Sequence, residues 1–412
     1  MMRVVFINYS HTETRHVSSM RQAYFARVLA HRGHQVVLLT PTLGQEAGTK
    51  LEQLQENLRL HDWREPFHLA CAPVSRYSLD AIRNSKTPRR WRQLLILYSY
   101  VLGDGLFADW TAGSKAYWKI LSDNFRPQIV SGTFGSYDCC KIAQGIARCA
   151  GARWVMDIKD DWGAFIPAGL RRLLARRIAD ADAMTFNSRF LFDRSKRWFH
   201  GRVGEVVYSG ADSCWFADDL RAGSDGCFRI AMMGSIYGQA KLESFFSGLG
   251  QWLSALGDAD RKRIVFSYAG REVAQVAAAA SVLAGKCKVD LHEYLDQEEL
   301  SALCRNASVN IYMWHPATFH HKLIELLCAR RPIITFPGEY EEALSIAKQV
   351  DGRVERCANP NELVACLSRI FAHAAEPCGQ LDKLRGFSWE RQADTLESLF
   401  MGILKDVYAA PD

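Results

Sequence analysis

The sequence predicts an α/β protein with two domains, each built around a parallel sheet. Residues 3–40 and residues 309–336 both read as strand, loop, helix and strand, and another strand, glycine loop and helix begin at residue 228. Neighbouring parallel strands need a crossover, usually a helix, so repeated units of this kind indicate a sheet covered by helices. A chain of 412 residues is long enough for two such domains, each with its own core.

The first of these units opens the chain. Arg3–Asn8 is an apolar strand, Met20–His31 is a helix that ends around Gly33, and Gln35–Thr40 is a second strand. The residues that follow give little pattern before a strand near Phe67–Cys71. This order is typical of the start of a doubly wound sheet.

Polar residues follow two later strands of the same domain. A strand that starts at Arg126 leads into a loop at Ser131–Asp138, and Asp157, Lys159 and Asp160 come after the next strand. Open α/β sheets bind ligands at the carboxyl ends of their strands, so these side chains are candidates for contacting a substrate. The alternative is a charged loop with one salt bridge.

The second domain begins with a glycine loop that suits a phosphate group. The strand Phe228–Met233 leads into Gly234–Gln239, and Lys241 lies at the start of the helix that follows. The first turn of a helix has free backbone N–H groups and the positive end of the dipole, and a lysine adds a full charge.

A second candidate phosphate site lies further along this domain. The strand Val309–Met313 leads through a His-rich loop into a helix that opens at Lys322, and Ile333–Phe336 is the next strand. Glu325 lies about one turn after Lys322 on the same face, where its carboxylate can accept hydrogen bonds from a ribose diol. The alternative is a solvated Lys–Glu pair on an ordinary helix.

Composition and charge narrow the class of protein. With 48% hydrophobic and 23% charged residues the chain is globular, and a net charge of +6 does not by itself indicate nucleic acid as a partner. The longest apolar run is too short to span a bilayer, and the first strand does not read as a signal peptide. The 12 cysteines are scattered without a C-x-x-C pair, and without a secretory signal we expect reduced thiols and a cytoplasmic location. No His/Asp cluster with metal-ligand character emerges from the sequence, so we expect no essential metal.

Residues 83–103 combine basic charge with aromatic side chains. Five Lys or Arg residues without an acid precede an apolar helix, and a second basic helix at Leu170–Ile178 could share its surface. Basic residues beside exposed aromatics suit an anionic membrane, which predicts peripheral association with its inner face. The alternative is a helix with a buried apolar face and a solvated basic turn.

Several of these segments, in this order, resemble nucleotide-sugar glycosyltransferases of the GT-B fold, of the group 1 type found in bacterial envelope polysaccharide synthesis. The similarity is carried by KLIELLCARRPII at 322–334, WVMDIKDDW at 154–162, VVYSGADSCWF at 206–216 and the first strand–helix–strand unit. It spans nearly the whole chain apart from roughly residues 42–120.

The resemblance implies two Rossmann-like domains whose parallel sheets face a central cleft. Residues 1–212 form the acceptor side together with the C-terminal helix at 388–412, and residues 213–387 bind the donor. A linker is expected at about Asp212–Gly226.

The resemblance also implies roles for individual residues. Glu325 is expected to bind the donor ribose, while Lys322 and Lys241 contact the donor diphosphate. The implied catalytic residues are Lys241, Lys322, Asp160 and Thr133. The implied donor-binding residues are Gly234, Ser235, Tyr237, Arg271, Tyr294, Lys322, Leu323 and Glu325. No bound cofactor is implied, because the nucleoside-diphosphate sugar is a co-substrate.

Several positions depart from the family pattern, among them Lys159, which replaces an Arg, and the loop after the first strand, which lacks the usual glycines. Ala317 stands where many members have a Glu that contacts the sugar, Arg330 where Gly is usual, and Ser235 where many members have Arg. Thr133 lies near the position of a functional His in many retaining members, so a His-dependent mechanism cannot be carried over.

The expected activity is transfer of a sugar from a nucleoside-diphosphate sugar to a hydroxyl of a glycan or lipid-linked acceptor, with retention of configuration. Two alternatives stay open. A nucleotide-sugar 2-epimerase shares the fold and needs a proton-transferring group such as His315, His320 or His321. A catalytically degenerate scaffold that binds sugar nucleotides would account for the departures.

Overall fold

The computed structural model describes most of the chain. The described residues are 1–14, 17–44, 46–74, 79–83, 88–102, 105–200, 204–218, 225–317, 319–373 and 377–405. Lys86 of the basic segment, residues 219–224 of the predicted linker and residues 406–412 of the predicted C-terminal helix lie outside these ranges.

The strands of the described chain form two parallel sheets. The strands are β1 (Arg3–Ile7), β2 (Gln35–Pro41), β3 (Phe67–Cys71), β4 (Ile129–Phe134), β5 (Arg153–Ile158), β6 (Ala183–Phe186), β7 (Gly204–Val206), β8 (Phe228–Met233), β9 (Ile264–Ala269), β10 (Lys288–His292), β11 (Val309–Met313), β12 (Ile333–Phe336) and β13 (Val354–Arg356). The first sheet has the order β3-β2-β1-β4-β5-β6-β7, and the second has the order β10-β9-β8-β11-β12-β13. Their pairing is parallel throughout, as the crossover pattern of the sequence predicts.

Helices connect these strands. They are α1 (Val17–His31), α2 (Leu51–Leu60), α3 (Asp80–Arg83), α4 (Arg89–Leu102), α5 (Ala108–Ile120), α6 (Tyr137–Ala150), α7 (Trp162–Phe165), α8 (Arg171–Arg177), α9 (Arg189–Ser195), α10 (Gln239–Ala255), α11 (Asp258–Arg261), α12 (Val273–Ala280), α13 (Gln297–Arg305), α14 (Lys322–Cys328), α15 (Glu341–Gln349), α16 (Pro360–Ala372), α17 (Leu381–Leu384) and α18 (Trp389–Lys405). Within the described ranges, no helix combines the length and the hydropathy that a membrane crossing requires.

The chain divides into two compact units. Unit 1 comprises Met1–Tyr208 together with Gln392–Asp412, and unit 2 comprises Ser209–Arg391. Each unit contains one sheet and its own apolar core. The sequence-based division places the corresponding changes at residues 212 and 388.

The predicted strands at Phe67–Cys71, Phe228–Met233, Val309–Met313 and Ile333–Phe336 are confirmed with these bounds. The α/β class with two parallel sheets is therefore confirmed. In contrast, helix α2 lies in a stretch where no helix is predicted from the sequence, and its apolar side is short, with Leu54 and Leu58 buried and Leu51 partly buried.

The predicted loop at Ser131–Asp138 is wrong. Strand β4 continues through Phe134, and helix α6 begins at Tyr137 after the N-cap Ser136. The small residues of this segment serve close packing, because a Cβ on Gly132 would lie 2.7 Å from the Cys139 carbonyl oxygen and 2.9 Å from Cβ of Ala143. All six residues of β4 are buried, so Thr133 belongs to the sheet.

Candidate ligand sites at the strand ends

The glycine loop of unit 2 holds the side chain of a distant lysine. Gly234 directly follows β8 and has a φ of +92°, and a Cβ atom placed on it would lie 1.4 Å from Nζ of Lys322. Only glycine leaves this space and adopts this backbone conformation without strain. The β8 loop and the first residue of α14 thus meet at the carboxyl edge of the sheet, where α/β sheets bind ligands.

Burial shifts both charged groups of α14 towards their neutral forms. It lowers the pKa of Lys322 to about 8, although the charges of Glu325 and Glu272 act in the opposite direction. It raises the pKa of Glu325 to about 7, against the effect of Lys322. Among the described residues, neither side chain forms a hydrogen bond or a salt bridge that would compensate for this burial.

Tyr268 and Glu272 support the glycine loop. The Tyr268 hydroxyl lies 2.9 Å from the Gly234 carbonyl oxygen and 3.0 Å from Oε2 of Glu272. A Cβ on Gly270 would lie 2.2 Å from the same hydroxyl. The hydroxyl therefore fixes the backbone of the loop, and Gly270 leaves the space that it occupies.

The His-rich loop before α14 is held by its own imidazoles. His320 Nε2 accepts a hydrogen bond from the His315 backbone N–H at 3.0 Å, and His315 Nδ1 accepts from the Ala317 N–H at 3.2 Å. Burial lowers the pKa of His320 to about 3, with smaller contributions from Lys322, His315 and Lys241. The neutral imidazole therefore has a structural task in this loop.

Lys241 lies near the same loop, on the first turn of α10. Its Nζ is 6.0 Å from the ring centroid of Trp314, and its charge contributes to the lowered pKa of His315. The N-cap of α10 is Gly238, and no side chain among the described residues caps this helix, so the N–H groups of its first turn can bind a ligand.

The other predicted donor-binding residues occupy different surroundings. Tyr237 packs its ring against His315 and His320 at centroid distances of 5.1 and 5.3 Å. Ser235 is half-buried beside it, whereas Arg271 and Tyr294 are exposed. Leu323 is fully buried.

In unit 1, the carboxyl edge of the sheet carries a closed polar network around Asp157. Arg21 donates to Oδ2 from Nε at 3.0 Å and to Oδ1 from Nη2 at 2.9 Å. Thr185, Thr133 and Gln22 also donate to this carboxylate, at 2.7, 3.2 and 3.1 Å. Burial alone would raise the pKa of Asp157, but Arg21 and these donors hold it below its ordinary value.

The two predicted catalytic residues of unit 1 differ in their surroundings. The Thr133 hydroxyl is buried and belongs to the Asp157 network, which also brings it into contact with Gln22. Asp160 follows β5, and its Oδ2 lies 4.0 Å from Nζ of Lys159. Burial raises the pKa of Asp160, while Lys159 lowers it. A catalytic role for either residue stays a prediction.

Three contributors to these sites were not predicted from the sequence. Arg21 and Gln22 lie on α1, far in sequence from Asp157, and Tyr268 lies inside a strand. Only Arg21 could have been predicted from the sequence, because a charged residue on an otherwise apolar helical face needs a charged or polar partner when it is buried. Within the described ranges, no group of three or more His, Cys, Asp or Glu residues is placed to hold a metal ion.

Comparison with known proteins supplies the fold. No protein-family model and no curated protein sequence matches the chain. Sucrose-phosphate synthase from Thermosynechococcus elongatus is similar in structure, with a TM-score of 0.69 and 13% identity over 98% of this chain and 100% of that one.

Two further solved structures are similar to the chain over almost its full length. Anabaena HepE in complex with UDP and glucose has a TM-score of 0.59 and 12% identity, and the match covers 99% of this chain and 98% of HepE. Trehalose-6-phosphate synthase, from a study of glycosyl transfer with retention, has a TM-score of 0.62 and 11% identity over 97% of this chain and 99% of that one.

The chain has the GT-B fold. The GT-B assignment covers both units, since each match includes almost the full length of both chains. In this GT-B chain, the two candidate sites described above lie at the carboxyl edges of the two sheets.

Proposed function

We propose that the chain is a glycosyltransferase that moves a sugar from a nucleoside-diphosphate sugar to a hydroxyl of a glycan or lipid-linked acceptor. The observation that carries the proposal is the meeting of Lys322 with Gly234, with Glu325 one turn further along α14. Glu325 and Glu272 act on Lys322 only through longer-range charge, and among the described residues it forms no salt bridge, so a dianionic diphosphate would supply a direct partner. Ribose hydroxyls would donate hydrogen bonds to Glu325.

The base of the donor is proposed to be uracil. Structures of HepE contain UDP with glucose, and also UDP-glucose. A thermal-shift screen against UDP-, GDP-, ADP- and TDP-sugars tests this, because a ligand that binds only the folded state raises the unfolding temperature. We expect the largest increase with a UDP-sugar, and an equal response to all four would contradict the choice of base.

In the proposed reaction, the bond between the anomeric carbon and the β-phosphate oxygen breaks as the acceptor oxygen bonds to that carbon. Negative charge develops on the leaving diphosphate, which takes up the proton of the acceptor hydroxyl. Lys241, Lys322 and the first-turn N–H groups of α10 would stabilise this charge, which is usually the largest catalytic contribution. The proposed mechanism uses these groups, and no metal ion, to stabilise the leaving diphosphate. Retention of configuration is part of the proposal, supported by the likeness to trehalose-6-phosphate synthase, and the anomeric coupling in the NMR spectrum of the product tests it.

Replacing Lys241 tests the proposed chemistry. Lys241→Ala should lower kcat by about 30- to 1000-fold at saturating donor, since charge stabilisation of this kind contributes about 2–4 kcal/mol. Lys262→Ala, an exposed lysine of the same unit, is the matched control and should leave kcat unchanged. Equal turnover of the two variants would remove Lys241 from the mechanism.

The 2-epimerase alternative needs a base for proton transfer. The ring nitrogens of His315 and His320 that accept backbone N–H groups are not available for this task. Incubation of the donor alone distinguishes the two activities, because only an epimerase changes the sugar without an acceptor. Nucleotide binding without turnover over a panel of acceptors would favour the scaffold.

Location and pathway are part of the same proposal. We place the enzyme in the cytoplasm, at the inner face of the membrane when its acceptor is lipid-linked, in the synthesis of an envelope polysaccharide. Extracting a cell lysate with an organic solvent and testing the extract as acceptor would separate a lipid-linked acceptor from a soluble glycan.

A further inference from the structure

Helix α4 of unit 1 exposes an unusual amount of apolar surface. Of the 14 large apolar side chains that are exposed in the described chain, six lie on this one helix. They are Trp91, Leu94, Leu95, Leu97, Tyr98 and Val101, and Trp91 is 66% exposed. A concentration of this kind on a single helix marks an interaction surface, whereas scattered exposed residues do not.

The exposed side chains follow the helical repeat. Trp91, Leu94, Tyr98 and Val101 are spaced by three or four residues and so form one stripe. The opposite side carries the buried Ser99 and Tyr100, which hold the helix on unit 1. The apolar stripe of α4 therefore points away from the core, unlike the stripe of an ordinary amphipathic helix.

Basic residues lie at both ends of this stripe. Arg90 is exposed at its start, and α8 adjoins its end, where Nη1 of Arg177 lies 3.4 Å from the carbonyl oxygens of Tyr100 and Val101. Helix α8 adds the exposed Arg172 and Arg176. The sequence contains no acid at positions 83–103 or 162–178.

We propose that this α4 face, defined as the exposed apolar side chains of α4 together with Arg90, Arg172 and Arg176, docks onto an anionic membrane surface. Stable attachment to a membrane needs two contributions, apolar insertion and attraction to anionic lipid, and the face offers both. Trp and Tyr are side chains typical of the membrane–water interface.

The charge distribution argues for lipid as the occupant. A second copy of the chain docking through the same face would bring two basic surfaces together, and like charges destabilise such a contact. An anionic bilayer complements the arginines and also accepts the apolar side chains. Vesicle binding requires no sugar transfer, so this proposal stands or falls independently of the proposed enzymatic activity.

Flotation of the full chain with vesicles tests the proposal. We expect binding to vesicles of phosphatidylcholine mixed with phosphatidylglycerol, and much weaker binding to phosphatidylcholine alone. Arg90→Glu should lower the partition coefficient by about 30-fold, since each unit of charge near an anionic surface contributes about a fivefold factor. The loss should shrink at high salt, because the attraction is screened.

The apolar contribution is tested separately. The double variant Trp91→Ser, Leu94→Ser should bind weakly at both low and high salt, because its loss is not electrostatic. Leu60→Ser and Lys348→Glu alter an exposed leucine and an exposed lysine elsewhere, and both controls should bind like the parent chain. All four changes are at exposed positions, so unchanged melting temperatures verify the fold.

Three results would overturn the proposal. The first is an absence of binding to anionic vesicles. The second is equal binding by the α4 variants and the two controls. The third is a parent chain that is dimeric by light scattering and becomes monomeric in the double variant, because the face would then be covered by a second copy.

Discussion

Charged side chains at the carboxyl edges of the two sheets have opposite surroundings. In unit 1, Asp157 is surrounded by donors from Arg21, Thr185, Thr133 and Gln22, and its pKa lies below the ordinary value. In unit 2, Lys322 and Glu325 are shifted by burial towards their neutral forms.

This difference distinguishes charged side chains that stabilise the fold from charged side chains that are available to bind a ligand. A buried carboxylate with a full set of donors stabilises its own surroundings and has little capacity for anything else. A half-buried lysine such as Lys322, without a hydrogen bond or salt bridge among the described residues, costs stability, which a folded protein tolerates mainly at functional sites. Removing the charge should therefore damage the fold in unit 1 and the activity in unit 2.

The largest expected effect is on the unit 1 side. Asp157→Ala leaves the Arg21 guanidinium buried without its carboxylate, which should lower the free energy of unfolding by about 3–5 kcal/mol. Asp193→Ala removes an exposed carboxylate that pairs with Arg189 and Lys196, and it should cost less than about 1 kcal/mol. Urea denaturation measures both, and similar losses would show that the network of Asp157 is not the stabilising element.

The counterpart in unit 2 is Lys322→Met. We expect kcat to fall by a factor that corresponds to about 2–4 kcal/mol, because a charge near the leaving diphosphate is lost. The melting temperature should stay constant or rise, since an apolar side chain of similar length replaces a half-buried charge that forms no salt bridge among the described residues. Steady-state kinetics and calorimetry on one preparation measure both, and a clear loss of stability would assign Lys322 a structural role.

A smaller effect is expected when the space for Lys322 is filled. Gly234→Ala should cost about 1–2 kcal/mol of stability through its positive φ, and its Cβ should displace the lysine side chain and weaken donor binding. Gly33→Ala provides the matched control, because Gly33 has a φ of +83° and no atom of the described residues lies within 4 Å of its Cβ position. Isothermal titration with the donor should separate the two variants, and equal affinities would contradict the displacement.

The smallest expected effect on activity is the pH dependence of donor binding through Glu325. Its pKa of about 7 in the folded chain exceeds its ordinary value of 4.5, so the folded state binds more protons in this window. Stability should therefore rise through this group as the pH falls from 7 to 4.5, while donor affinity falls by about fivefold, or about 1 kcal/mol, as an acceptor is lost.

Glu325→Gln should remove both trends, because an amide does not titrate in this range. Thermal unfolding and donor titration across this window measure the two curves for the parent and the variant. Parallel pH profiles for the two proteins would show that another group titrates.

The sequence predicted the sheets well because their signal is local. Val309–Met313 and Ile333–Phe336 are apolar runs with β-branched residues, and they are bounded by a polar loop and by Pro332. The loop prediction around Thr133 is wrong because the glycine and serine residues there resemble the composition of a loop. In the structure these small residues allow close packing of α6 on β4.

The candidate sites were only partly accessible to sequence reasoning. Lys322 and Glu325 could be paired because they lie one helical turn apart. The contact between Lys322 and Gly234, and the one between Arg21 and Asp157, depend on tertiary packing across 88 and 136 residues, which leaves no local pattern. The exposed stripe of α4 could not be assigned either, because an apolar helical repeat reads the same whether it faces the core or the solvent.

Unit 1 is discontinuous in sequence, and this affects how the chain can fold as it leaves the ribosome. Glu397, on α18, pairs with Arg32 at 2.7 Å and with His34 at 2.8 Å, so the first unit receives its last helix only after all of unit 2 has been synthesised. Unit 2, whose strands all pair with one another, can fold before the last helix of unit 1 has been synthesised. A chain that is truncated before α18 should therefore lose more stability in unit 1 than in unit 2, although unit 2 lies next to the point of truncation.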